Sequence, residues 1–466
     1  MHKTIRYAAI ALIALLTSCD GFLTVDEKGK ATIPSFLSDP RGLHAGLVGA
    51  YNKYYEHYDA EYLKYPEVAG NMVSINLSSG SSVLEQYNYT PNPGSATTSY
   101  YIWYRIGTAL ANANNIIQYA PAVAGNYPTQ KAYCDNILGQ ALLLRAMCHF
   151  DLCRVYAQPY NYTADASHPG IPVLRKTPGP NDNPARQTVK EVYDFILSDL
   201  TQAASLLTDS HASDVHYASL QAVNAMFSRV YLYMEDWDNA YRYAQLAING
   251  EQLAQGQTYL DMYDNLNERG EAILRLSGDD MSGKLKDFYA SECMPADTLL
   301  SLYDSADLRL QLINKDGAKR CLKYTPTVIP DNQPKREDPI IFRLSEMYLN
   351  AAEAACHLSG KSADARQYLR ALLERNVGAD KADELLGATA DADLLSLVQR
   401  ERVKELCFEG HNLFDITRWK QDLVREQGTN ATTARVNYPN DLFVLPIPQY
   451  ELDANENMKP NPTVNK

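Results

Sequence analysis

The chain has 466 residues, of which 45% are hydrophobic and 21% charged, a balance typical of a globular protein and not of a disordered one. Its formal net charge is −13 and it has no run of five or more basic residues, which argues against nucleic acid as a partner. Tyrosine is unusually abundant, with 33 residues against 10 Phe and 3 Trp.

The N-terminus has the three parts of a secretory leader. Basic side chains precede an apolar run from Tyr7 to Leu16, and small residues follow. At about ten residues the run is too short to cross ~30 Å of hydrocarbon, so we expect residues 1–18 to be a cleaved leader. Leu16-Thr17-Ser18-Cys19 resembles the bacterial lipobox, after whose cleavage Cys19 becomes the acylated first residue; the alternative is an ordinary leader with an incidental cysteine. Several acyl chains would hold residues 19–40, a polar tether, on a membrane surface.

The first periodic segment of the mature chain carries a stripe of tyrosines. Six of them step by three or four along one helical face, namely Tyr51, Tyr54, Tyr55, Tyr58, Tyr62 and Tyr65. Such a stripe is usually core, and a ligand role is the alternative. Residues 66–99 then lose this periodicity and gain Gly, Ser, Asn and Pro, as expected of an irregular excursion that can carry binding groups.

Helical periodicity returns at about 100–120, 132–157, 188–207, 217–234 and 237–249. Small residues and a short turn make 217–249 resemble a tetratricopeptide helical hairpin, and a second hairpin follows at 342–376 with Gly360 at its turn. Residues 251–340 read as a loop-rich insertion with short strands. We therefore predict a mostly α fold: an α-helical body of tetratricopeptide-like hairpins with loop-rich insertions and few short strands. It forms one domain over 41–466, with parts 41–250, 251–340 and 341–466.

Residues suited to catalysis or metal binding are not arranged in a known pattern. The sequence has no G-x-S-x-G elbow, glycine-rich phosphate loop or H-E-x-x-H, and its histidines lack the spacing of a helical metal site. The odd count of seven later cysteines without Cys-x-x-Cys favours buried thiols over disulfides or zinc. Glu405 and Glu409 share a helical face, but Arg402 and Arg418 lie nearby and favour ionised carboxylates over a general acid. We expect no metal, no cofactor and no enzymatic activity.

Two segments resemble the SusD/RagB family. "FRLSEMYLNAAEA" matches its Arg-x-x-Glu-x-x-Leu-x-x-Ala-Glu signature, and "RERVKELCFEGHNLFDITRW" matches its Arg-x-x-Glu-Leu-x-Phe-Glu-Gly stretch and the Asp and Arg beyond it. The charged positions that carry the match are Arg343, Glu346, Glu353, Arg402, Glu405, Glu409, Asp415 and Arg418. The resemblance implies that these residues hold helices together and do not bind the ligand.

The resemblance also implies a function. Members of the family are outer-membrane, surface-exposed lipoproteins that bind nutrient oligosaccharides, or in some cases peptides, without catalysis. They deliver the ligand to a TonB-dependent transporter of the SusC kind. We therefore expect an oligosaccharide ligand, a SusC-like partner and attachment to the membrane through the lipid on Cys19.

The ligand platform in such proteins lies on the excursion and the insertion. An aromatic ring covers the apolar face of a sugar, and amides serve its hydroxyls. Trp103, Trp237 and Trp419 all fall in helical motifs, so tyrosine is expected to stack on the sugar. The predicted ligand residues are Tyr87, Tyr89, Phe288 and Tyr289, with Asn71, Asn76 and Asn88 as polar neighbours, while Tyr100 and Tyr101 at a helix start rank behind them.

Three alternatives stay open. The same scaffold could select peptides, since platform tryptophans are scarce. A lipid-anchored glycosidase needs only two well-placed carboxylates, whose separation the sequence does not show. A helical-repeat assembly factor facing the periplasm would bind proteins and no small ligand.

Overall fold

A computed structural model of the chain describes residues 32–77, 83–90, 98–208, 214–278, 283–330, 336–425 and 428–461. Over these residues the fold is mostly helical, which confirms the predicted class. The helices of the N-terminal part are α1 (Ile33–Phe36), α2 (Pro40–His57), α3 (Lys64–Val68), α4 (Leu84–Asn88), α5 (Thr98–Asn126), α6 (Lys131–Tyr156), α7 (Val189–Leu206), α8 (Leu220–Tyr233) and α9 (Trp237–Ile248). Those that follow are α10 (Gly256–Asp264), α11 (Lys284–Ser291), α12 (Asp297–Leu300), α13 (Leu310–Ile313), α14 (Leu344–His357), α15 (Ser362–Val377), α16 (Ala379–Ala388), α17 (Leu394–Leu406), α18 (Asn412–Arg418) and α19 (Gln449–Ala454).

Short strands join distant parts of the chain. They are β1 (Val73–Ile75), β2 (Ala272–Arg275), β3 (Cys293–Pro295), β4 (Ile340–Arg343), β5 (Leu423–Val424) and β6 (Arg435–Val436). β1 pairs antiparallel with β3, β2 with β4, and β5 with β6. The first pair ties the excursion after α3 to the middle insertion, and the second leads directly into α14.

Both predicted hairpins are present. In the α8–α9 pair, the small side chains of Ala222, Ala225, Ala240 and Ala244 are fully buried, so the two helices approach closely. The Ser228 hydroxyl donates across this contact to the Ala240 carbonyl at 3.2 Å. In the α14–α15 pair, Gly360 takes a φ of +76° at the turn, a conformation that glycine adopts without strain.

The tyrosine stripe on α2 and the segment after it is core, as predicted. All six rings are buried, and a π-helical turn at Tyr58–Tyr62 continues the row beyond the end of α2. The Tyr54 hydroxyl donates to Asp151 on α6 at 2.7 Å, and the Tyr51 hydroxyl donates to Gln140 at 2.8 Å. Burying a tyrosine requires a hydrogen-bond partner for its hydroxyl, and α6 supplies these partners.

The predicted tether overlaps a folded segment. Within 32–40 the chain forms α1, and Leu37 is buried against the helical body. The described end of the tether is therefore packed, because Leu37 has an apolar surface to cover. Cys19, the leader and the rest of the tether lie outside the described residues. Of the helices within the described ranges, none is both long and apolar enough to span a bilayer.

Helices α5 and α6 form a long hairpin that runs the length of the N-terminal part. With 29 residues, α5 is about 43 Å long. α2 runs alongside it in the opposite direction, since Arg105 meets Glu61 at 3.8 Å while Gly46 faces Ile116. The C-terminal segment closes over the start of α5, where the Ser99 hydroxyl donates to the Pro446 carbonyl at 2.5 Å. This contact places α19 beside the first turns of α5.

Candidate functional site

The eight signature residues form buried ion pairs. Arg343 donates to Glu405 at 2.7 Å, to Glu409 at 2.8 Å and to Glu271 at 2.9 Å. Arg229 reaches both oxygens of Glu346 at 2.7 Å. Arg418 forks onto both oxygens of Glu353 at 2.6 and 2.8 Å and also contacts Asp415, which Arg402 reaches at 2.9 Å. These contacts join β4, α14, α17 and α18, and seven of the eight residues are buried while Glu409 is partly buried.

The charge balance of this network lowers the pKa of three of its carboxylates, Glu353, Glu405 and Glu409. Burial alone would raise the pKa of Glu353, but the Arg418 fork outweighs it and lowers the pKa to about 2. Burial would raise the pKa of Glu405 as well, but the surrounding Arg375, Arg343 and Arg309 lower it. The pKa of Glu405 therefore lies well below the ordinary value. A general acid needs a raised pKa and access to substrate. The network has neither property.

Three buried carboxyls among the described residues do have a raised pKa, with burial as the largest cause: Glu67, whose pKa is raised to about 7, Asp199 and Glu337. Burial, and then the neighbouring Asp59, raise the pKa of Glu337, whose oxygens accept from the backbone N–H groups of Leu285 and Lys286 at the start of α11. Glu67, Asp199 and Glu337 are all buried, and the crevice that Glu337 lines encloses only about 10 Å³, which leaves no room for a substrate. The contacts of Glu337 and Asp59 tie α11 to the segment after α2.

Metal-binding groups are also missing from the part of the chain that the structure describes. Within it, no cluster of three or more His, Cys, Asp or Glu side chains is placed to hold a metal ion. Cys148, Cys153 and Cys407 are buried thiols, and Cys356 is half-buried.

Three of the predicted platform rings are unsuitable because they are buried. Tyr87 is fully covered, and its hydroxyl donates to Asn430 at 2.7 Å. Phe288 and Tyr289 lie beneath the surface of the insertion, where Tyr289 stacks on Tyr324 with ring centroids 5.3 Å apart. A ring with no exposed face cannot stack on a sugar. The irregular segments use these rings to cover their own backbone.

The remaining predicted residues differ in how exposed they are and in what they bond. The Tyr89 hydroxyl donates to the Ala69 carbonyl at 2.5 Å and its ring is half-buried. Asn71 is half-buried and its N–H donates to Asn412 at 2.8 Å, while Asn88 accepts from the Thr432 N–H at 3.0 Å. Asn76 is exposed and its side chain donates to the Ser291 carbonyl at 3.4 Å. The side chains of Tyr89 and Asn88 therefore serve the fold, whereas at Asn71 the backbone N–H makes the contact.

An exposed aromatic surface lies at the start of α5. Tyr100 and Tyr104 have parallel rings, with centroids 5.9 Å apart and planes within 5°. Tyr450 on α19 meets the Tyr100 ring edge-on at 5.1 Å, and Tyr101 meets it at 5.2 Å. Tyr104 is 55% exposed and Tyr450 43%. We call Tyr100, Tyr101, Tyr104 and Tyr450 the tyrosine platform.

The local sequence explains the platform. In "SYYIWYRIG", Ile102 and Ile106 are buried and fix the inner face of α5, so Tyr100 and Tyr104, four residues apart, share an outer face. The start of the helix is held by Tyr156, whose hydroxyl donates to the Ser99 carbonyl. Partial burial raises the pKa of Tyr450 to about 12, so its hydroxyl is neutral and can donate to a ligand.

A groove adjoins the platform and encloses about 340 Å³. Trp103 and Leu110 of α5 line one side, Pro178 and Pro180 of the proline-rich crossing line another, and Glu451 of α19 closes it. Trp103 packs edge-on against Tyr156 at 4.9 Å and is half-buried. Trp103, although it falls in a helical motif, therefore also lines the groove.

Comparison with known proteins decides the family. A model described as "SusD family" matches residues 208–463, and one described as "Starch-binding associating with outer membrane" matches residues 22–232. The chain belongs to the SusD family. SusD-like protein P2 of Formosa agariphila is 24% identical over 435 residues, covering 81% of this chain and 82% of that protein.

Solved structures of the SusD kind share the fold. A SusD superfamily protein from Bacteroides thetaiotaomicron has a TM-score of 0.82 at 24% identity, covering 91% of this chain and all of that one. A putative sugar binding protein from Bacteroides vulgatus has a TM-score of 0.80 at 26% identity, covering 92% of this chain and 99% of that one.

The sequence of this SusD-family chain indicates only half of the platform. The predicted ligand residues include Tyr100 and Tyr101, ranked behind the loop residues, but neither Tyr104 nor Tyr450. The four-residue spacing of Tyr100 and Tyr104 could have indicated a shared outer face, because Ile102 and Ile106 mark the buried face of the same helix. Tyr450 gives no such signal, since it reaches the platform from the far end of the chain.

Proposed function

We propose that this protein is a non-enzymatic surface lipoprotein that binds a nutrient oligosaccharide on the tyrosine platform. The observation that carries the proposal is the pair of parallel rings of Tyr100, which is half-buried, and Tyr104, which is exposed, beside the exposed Tyr450. A contiguous exposed aromatic patch is uncommon on the surface of a soluble protein and marks a binding site. The family description and the name of the related sugar binding protein from Bacteroides vulgatus support a sugar as the ligand.

The chemistry of the platform suits a sugar. A pyranose ring presents C–H groups on its faces and hydroxyls around its edge, so it is complementary to a tyrosine ring flanked by polar groups. Covering roughly 100 Å² of apolar surface on two rings would contribute about 2.5 kcal/mol. Neutral phenol hydroxyls and the adjacent Glu451 can hydrogen-bond the sugar edge. Two parallel rings along α5 would hold consecutive sugar units of one chain.

Anchoring and delivery complete the proposal. Acylation of Cys19 would hold the protein on the outer membrane, facing outward, and a TonB-dependent SusC-like transporter would receive the ligand. The lipobox resemblance and the family description support this part. The absence of catalysis rests on the ion-paired carboxylates of the signature network and the burial of Glu337.

A peptide is the second candidate, favoured by one observation. The groove beside the platform is lined by Trp103 and four prolines and is largely apolar, which suits an apolar side chain. If a peptide is the ligand, Trp103 should contribute more to affinity than Tyr104.

Calorimetric titration of the soluble protein without residues 1–19 tests the proposal against oligosaccharide and peptide panels. We expect heat with at least one oligosaccharide, and loss of that heat in the double variant Tyr100→Ala/Tyr104→Ala with an unchanged melting temperature. If only peptides bind, the ligand is a peptide and not an oligosaccharide. Unchanged oligosaccharide affinity in the double variant would remove the platform from the site, and release of shorter sugars would indicate a glycosidase.

A further inference from the structure

A second pocket lies between the start of α2, the start of α6 and the segment that leads into α8. It encloses about 220 Å³. Three aromatic rings form a row along it: His44 stands 6.1 Å from Tyr133 and 6.3 Å from Tyr217, with planes 27° apart in each pair. Tyr133 is 45% exposed, so the row has a face open to solvent.

Polar groups complete the lining of this pocket. The Tyr51 hydroxyl donates to Gln140 at 2.8 Å, and the Gln140 amide donates to Asn136 at 2.7 Å, so the two amides are held in fixed orientation. Ser219 lines the pocket and is only 3% exposed, yet its hydroxyl has no hydrogen-bond partner among the described residues. Ser219 occupies the N-cap position of α8, but its side chain makes no capping hydrogen bond.

An unpartnered buried hydroxyl is costly, at about 1–3 kcal/mol. Serine at the first position of a helix ordinarily satisfies a backbone N–H, so a hydroxyl that does not do so is available to something else. A ligand hydroxyl in the pocket would supply the missing partner. This is the specific feature that separates the pocket from an ordinary surface crevice.

The pocket is remote from the tyrosine platform. Tyr133 stands three residues into α6, beside the C-terminal end of α5, whereas the platform occupies the first two turns of α5. At 1.5 Å per residue the two places are about 30 Å apart along the α5–α6 hairpin. One short oligosaccharide could not occupy both.

We propose that this pocket is a second ligand site that takes a single neutral sugar unit. The aromatic row would cover the C–H face of the sugar ring, while Ser219 and the amide of Asn136 would bond its hydroxyls. The described lining contains no Lys or Arg, and Asp214 adds a negative charge, so the site disfavours anionic sugars. The proposal does not depend on the tyrosine platform, because no residue is shared.

Saturation-transfer NMR with glucose, galactose, mannose and xylose at millimolar concentration tests the second site. We expect a signal from at least one sugar, weakened about fivefold or more in both Tyr133→Ala and Ser219→Ala. The Ser219→Ala variant should melt no lower than the wild type, since it removes an unsatisfied group. Tyr162→Ala, which removes an exposed ring outside both sites, is the control and should keep the signal, and Tyr104→Ala measures any share of the signal that comes from the platform.

The outcomes separate the two sites. If Tyr104→Ala loses the signal and Tyr133→Ala keeps it, monosaccharide binding belongs to the platform and the second site is overturned. No signal in the wild type, or wild-type affinity in either Tyr133→Ala or Ser219→Ala, would overturn it as well. Failure of oligosaccharides to bind the platform would leave the test of the second site intact.

Discussion

The buried signature network and the exposed tyrosine platform use opposite chemistry. The network joins β4, α14, α17 and α18 through paired charges that are withdrawn from water. The platform lies on α5 and α19, and Tyr101, Tyr104 and Tyr450 expose their rings to solvent. Residues that carry the strongest sequence motif therefore hold the scaffold, whereas the residues best placed to meet a ligand carry no motif.

Physical cost explains this division. Removing one member of a buried ion-pair network leaves its partners charged and unpaired, so such positions tolerate little change. An exposed tyrosine can be replaced with a small effect on stability, so a platform of such residues can be adapted to a new ligand while the scaffold persists.

The largest expected effect is at Arg343. Arg343→Ala leaves Glu271, Glu405 and Glu409 without their shared cation, and we expect a loss of about 3–5 kcal/mol in unfolding free energy. Urea unfolding measures it. The matched control is Arg370→Ala on α15, where a similar arginine pairs with Glu374 and Asp383 at the surface and a loss of at most ~1 kcal/mol is expected. Equal losses in the two variants would contradict the structural role of the network.

A somewhat smaller effect is expected from acid at Glu353. Its pKa is lowered to about 2 in the folded protein, so its contribution is present above the ordinary pKa of 4.5 and is lost as pH falls. We expect the stability advantage of the wild type over Glu353→Gln to shrink by about 1.4 kcal/mol per pH unit below pH ~4.5. Unfolding free energies of both proteins at stepped pH check this slope. A constant difference would show that Glu353 is not held ionised by Arg418.

The smallest effect on stability, but a clear one on binding, is expected at Tyr104. Tyr104→Ala should weaken the oligosaccharide by about 1–2 kcal/mol, or roughly five- to thirtyfold in Kd, and leave the melting temperature unchanged. Tyr104→Phe keeps the ring and should retain most of the affinity. The control is Tyr162→Ala, which removes a ring of 38% exposure elsewhere on the surface. A matching loss of affinity in Tyr162→Ala would show that the effect is not specific to the platform.

Much of the scaffold could be predicted from the sequence. Apolar periodicity indicated the long helices, and small residues such as Ala222 and Ala240 indicated where two helices meet. The family motif pointed to Arg343 and its partners as structural. These features depend on local spacing or on a shared motif, which a sequence displays directly.

The platform could not be predicted in the same way because it depends on distant contacts. Tyr87 looked available in an irregular segment, but Asn430, 343 residues away, binds its hydroxyl and closes over it. Tyr450 joins Tyr100 only because the C-terminal segment folds back over the start of α5. Burial of loop aromatics is decided by which remote segment covers them.

A crystal structure of the protein with the oligosaccharide that gives the strongest calorimetric response tests the central claim most directly. The account predicts sugar rings in van der Waals contact with Tyr100 and Tyr104, near Tyr450 and Glu451, with the Arg343 network unchanged. A sugar bound elsewhere on the surface with the platform empty would contradict it.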